Sequence, residues 1–138
     1  MTRHKRHVCV ARERKYDPSL SLAIILGFIP EYQRASNLAK QLETARLESK
    51  LREIRELASL SYIDASKMNY GSATEDSERM FGLAREVAND TTDDGLRSSL
   101  NGLSTFRDTV MGKLKAADAS VLEPLQQIVQ KTQRELKR

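Results

Sequence analysis

Residues 46–68 read RLESKLREIRELASLSYIDASKM, and the period of their apolar positions decides the fold. Leu47, Leu51, Ile54, Ala58, Ser61, Ala65 and Met68 step alternately by four and three residues, which places them on one stripe of an α-helix. Leu57 and Leu60 widen the stripe where Ala and Ser leave it thin. Glu48 and Arg52, one turn apart on the wet side, are spaced for an ion pair. A stripe of this kind has to be buried against another helix, and no stretch of the chain alternates apolar and polar residues as a strand does. The fold class expected is all-α: a long N-terminal helix or stalk, then an antiparallel helical bundle of about four helices, with no strands.

Towards the C-terminus the next break is Asn69-Tyr70-Gly71. Ser72 is the expected N-cap of the second helix, with Glu75 closing a capping box. Ala73, Ser77, Met80, Phe81, Ala84, Val87 and Ala88 then form one face of a helix ending near Asn89. Thr91 or Thr92 is expected to cap a third helix, with Asp93 and Asp94 well placed for its dipole. Leu96, Leu100, Leu103, Phe106, Val110 and Leu114 make its stripe a single run. Gly95, Gly102 and Gly112 weaken that helix by roughly 1 kcal/mol each, so it must depend on packing, and small residues there permit close contact. Ser120, Glu123 and Pro124 mark the start of a last helix whose face is Leu122, Leu125, Ile128, Val129, Thr132 and Leu136. Its basic end, Lys131, Arg134, Lys137 and Arg138, suits the helix dipole.

Towards the N-terminus, Ala35, Leu38, Leu42 and Ala45 form a seam in a different phase, which predicts a helical stalk over 33–56 passing into a bundle over 57–138. Leu38, Leu42, Leu47, Leu51 and Ile54 are the candidate stalk interface, for a protein partner or for self-association. Before the stalk lies PSLSLAIILGFIP, uncharged from Pro18 to Pro30. Residues 18–32 are the candidate membrane anchor, through Leu20, Leu22, Ile24, Ile25, Leu26, Phe28 and Ile29. At about 1.5 Å per residue the uncharged run spans about 20 Å, against about 30 Å of hydrocarbon. Context favours attachment all the same. Arg3, Lys5, Arg6, Arg12, Arg14 and Lys15 stand directly upstream in the positive-inside pattern, and Tyr16 and Tyr32 bracket the run. Local bilayer thinning and snorkelling close such a gap at modest cost. Small residues suited to signal cleavage are missing just after the run, so the expectation is an uncleaved, single-pass signal-anchor in the cell membrane, with the N-terminus cytoplasmic and the bundle extracytoplasmic. The alternatives are a cleaved signal peptide and an apolar helix packed on the bundle of a cytoplasmic protein.

Charge locates the same boundary. The six basic residues of 1–17, less Glu13 and Asp17, account for the whole formal charge of +4, so residues 18–138 are neutral in sum. A folded domain that holds duplex nucleic acid normally carries a basic face of its own, which this composition does not require. Nucleic acid is therefore the less favoured partner, reached only if the tail (which has no hydrophobic period and reads as disordered) is a free arm gripping phosphates.

Catalytic chemistry finds few residues to work with. His4, His7 and Cys9 all lie in the tail, and residues 10–138 contain neither His nor Cys. That excludes an intramolecular disulfide, Cys–His and Ser–His–Asp catalysis and the Glu-x-x-His di-iron site of some bundles. No Walker-type loop or dinucleotide fingerprint is present. His4-x-x-His7-x-Cys9 has ligand spacing, but its cationic neighbours disfavour a metal. Glu75, Asp76 and Glu78, like Asp90, Asp93 and Asp94, sit where helix N-termini are expected, and capping explains them. The expectation is a non-enzyme with no catalytic, cofactor-binding or metal-binding residue.

Two resemblances add to this reading. Asn69-Tyr70-Gly71-Ser72-Ala73 between two amphipathic helices resembles the inter-helix turn of a tetratricopeptide unit, with Tyr70 and Ala73 at matching positions. The likeness covers about Leu57 to Ala88; no second copy follows and the usual downstream Pro is missing, so it implies a helical hairpin with Tyr70 and Phe81 in the core and no peptide groove. The layout of LAIILGFIPEYQRA followed by charged heptads resembles small bacterial proteins that carry one N-terminal anchor, a stalk and an extracytoplasmic bundle. It implies a membrane-anchored helical module for protein interaction. A soluble helical adaptor whose basic arm binds nucleic acid is the first alternative. A ligand-sensing bundle is the second, for which no convergent polar pocket is legible.

Overall fold

Small side chains bring the first two helices together. A computed structural model describes the backbone of residues 18–136 and the side chains of 34–136. It contains α1, Pro18–Ser66; α2, Tyr70–Asp90; α3, Asp94–Ser104; α4, Arg107–Lys115; and α5, Leu122–Glu135, with a 3-10 turn at Ala119–Val121 ahead of α5. Among the described residues every regular element is helical, as the stripes predict. The chain divides into two compact units, Met1–Lys40 and Gln41–Arg138. The tail of residues 1–17, with its basic residues, histidines and Cys9, lies outside the described residues, as do the anchor side chains from Leu20 to Ile29.

Within Gln41–Arg138, α1 and α2 form an antiparallel hairpin. Ala58, Ser61 and Ala65 of α1 and Ala73, Ser77, Ala84 and Ala88 of α2 are all buried. Ser77 Oγ donates to Ser61 Oγ at 3.1 Å, and Ser61 Oγ donates to the Ala73 carbonyl at 3.4 Å. Further along, Arg79 reaches Glu53 at 3.1 Å, and Lys50 reaches Glu86 at 2.7 Å and Asp90 at 3.9 Å. Numbers that fall on α1 as they rise on α2 define the antiparallel register. The Lys50 ammonium is held above its ordinary range, chiefly by its hydrogen bond to Glu86. The i,i+4 pair expected between Glu48 and Arg52 does not form; the nearby ion pairs run between helices instead.

The turn between α1 and α2 departs from the expectation. Asn69 N–H donates to the Asp64 carbonyl at 2.9 Å and Met68 N–H to Ala65 at 3.0 Å, a Schellman closure that needs a left-handed residue at Met68, φ 62°. Met68 therefore leaves the apolar stripe and is 76% exposed. Helix α2 already begins at Tyr70, so Ser72 lies in its first turn and is not the cap; its hydroxyl accepts from Asn69 Nδ2 at 2.9 Å.

The other caps shift in a similar way. Asp93, not Thr91 or Thr92, caps α3, accepting from the Leu96 N–H at 2.9 Å, while Thr91 Oγ1 accepts from the Asp93 N–H at 3.2 Å. Arg97 closes the end of α2 by donating to the carbonyls of Ala88 and Thr91. Asp118, not Ser120, caps the turn before α5; it accepts from the Ser120 N–H and hydroxyl, both at 2.8 Å.

The expected third helix is two. Thr105 Oγ1 takes up the Gly102 carbonyl at 2.9 Å and Phe106 N–H bonds Leu103 at 3.0 Å, one residue short of the α pattern. This tightened turn separates α3 from α4 and lets both pack on α2, while α5 packs on α3 and α4. None of the three glycines marks a close approach of helix backbones: a Cβ at Gly102 would meet only the movable end of the Lys131 side chain, at 3.0 Å, one at Gly95 the nearby Asp93 carboxylate at 3.2 Å, and Gly112 has open space beside it. The stripe survives the kink: Leu96, Leu100, Leu103, Val110 and Leu114 are buried and Phe106 packs partly against them. Leu125, Ile128, Thr132 and Leu136 of the C-terminal segment complete the core, with Pro124 buried in the first turn of α5. Each large apolar side chain sealed in this way stabilises the fold by about 1.5–3 kcal/mol.

Candidate interaction surface

The five stalk residues divide. Leu51 and Ile54, at 1% and 0% exposure, belong to the bundle's own core, and Leu47 packs partly against it. The core therefore begins upstream of residue 57, and the expected 33–56 stalk gives its second half to the bundle. Leu38 and Leu42 are 59% and 54% exposed and remain as unpaired leucines. Leu60, expected to widen the buried stripe beside Leu57, is instead 40% exposed, and Ile63, which the stripe does not include, is 41% exposed on the same helix. The missed signal is their distance from the core positions: each stands two residues from one, and two residues turn a helix by about 200°.

The larger of two described grooves lies along this part of α1, with a volume of about 370 Å³. Arg52, Glu53, Glu56, Leu57 and Leu60 of α1 line it with Asp76 and Arg79 of α2. The Asp76 carboxyl is raised above its ordinary range, first by partial desolvation and then by the neighbouring Asp64 carboxylate, with Arg79 opposing. Glu53 and Arg79 satisfy one another. The groove is open to solvent and carries mixed charge around the buried Leu57. A second groove of about 250 Å³ runs between Phe106 and α5, lined by Gln127, Gln130, Lys131, Arg134 and Glu135; Lys131 is held there by Glu135 at 3.4 Å.

Tyr70 packs partly against the core and Phe81 is buried in it, as the hairpin resemblance implies. Among the described residues no group of three or more His, Cys, Asp or Glu side chains is arranged to hold a metal ion. No helix among the described residues is long and apolar enough to cross a membrane. No family model, curated protein or solved structure matches this chain.

Proposed function

We propose that the protein is a membrane-attached helical module that acts through protein contact, held to the bilayer by residues 18–32. One observation carries this reading: the uncharged run from Pro18 to Pro30 directly follows the segment that holds all of the chain's excess positive charge. Near an anionic leaflet each such Lys or Arg adds about 1 kcal/mol of attraction. The run is shorter than an ordinary span, so the bilayer thins around it and its flanking Arg, Lys and Tyr side chains snorkel to the interface. On this reading the tail stays cytoplasmic, the bundle stands on the far side and presents its exposed α1 face, and no catalytic activity is assigned. Alkaline phosphatase fused after Arg138 tests the topology. An active fusion is expected; an inactive fusion of intact protein contradicts it.

The same concentration of charge favours one second reading, a soluble adaptor whose basic arm grips phosphates. Retention on DNA that falls with salt and vanishes on deletion of residues 1–17 would select it.

A further inference from the structure

We draw no further inference here: the strongest candidate, the outer face of α1 with its exposed Leu42, Leu60 and Ile63, is an unpartnered apolar face, and nothing in the structure shows what covers it.

Discussion

Ala117 stands at φ 51°, where its N–H bonds the Leu114 carbonyl at 3.0 Å and the Asp118 N–H bonds Lys113 at 2.9 Å. It closes α4 by the same Schellman geometry that Met68 gives α1, and in both turns a residue with a Cβ occupies a position that favours glycine. Ala117→Gly should therefore raise stability by roughly 0.5–1 kcal/mol, the relief of left-handed strain less the greater freedom of glycine in the unfolded chain, read as a higher urea midpoint at unchanged slope. Beside it, the Ser120 backbone N–H and hydroxyl hold the Asp118 carboxyl below the usual carboxylate range. A carboxyl depressed on folding stabilises the fold above its unfolded pKa, and that contribution is lost as pH falls through the depressed folded value. Asp118→Asn should lower Tm at neutral pH and converge with the parent in acid, which thermal melts of both proteins across that range would check.

At the scale of elements, the stripes were legible and the ends were not. Every apolar position assigned to α2 is buried, because a period that long leaves no other face to bury. The caps slipped by two or three residues because a Ser followed three places later by Glu fits the inside of a first turn as well as its edge. Ser72 and Ser120 both have that spacing, yet the chain turns at Asn69 and Asp118. Met68 and Ala117 left no mark as turn residues, since nothing but backbone geometry distinguishes them, and Gly71 drew attention to the wrong place. The kink at Thr105–Phe106 was hidden because the leucine stripe continues across it. Of the candidate surface, Leu42 was read from the change of phase, whereas Leu60 was assigned to the wrong side of α1. The closeness of α1 and α2 is itself testable. Ser77→Ala should change stability by less than about 1 kcal/mol, because Ser61 keeps the Ala73 carbonyl; Ser77→Leu, with no room between the helices, should cost about 1–3 kcal/mol. Urea unfolding of the two variants separates the outcomes.

At the scale of the whole molecule, the described residues of Gln41–Arg138 share one apolar core that runs from Leu51 of α1 to Leu136. The proposed attachment rests on the uncharged run from Pro18 to Pro30 and on the six basic residues ahead of it. Membrane attachment is the central claim, and fractionating cells that express the full chain or residues 33–138 alone tests it most directly. The account predicts the full chain in the membrane pellet, resistant to high salt and released by detergent, and the shortened chain in the supernatant with its helical signal intact. Full-length protein that stays in the supernatant would contradict it.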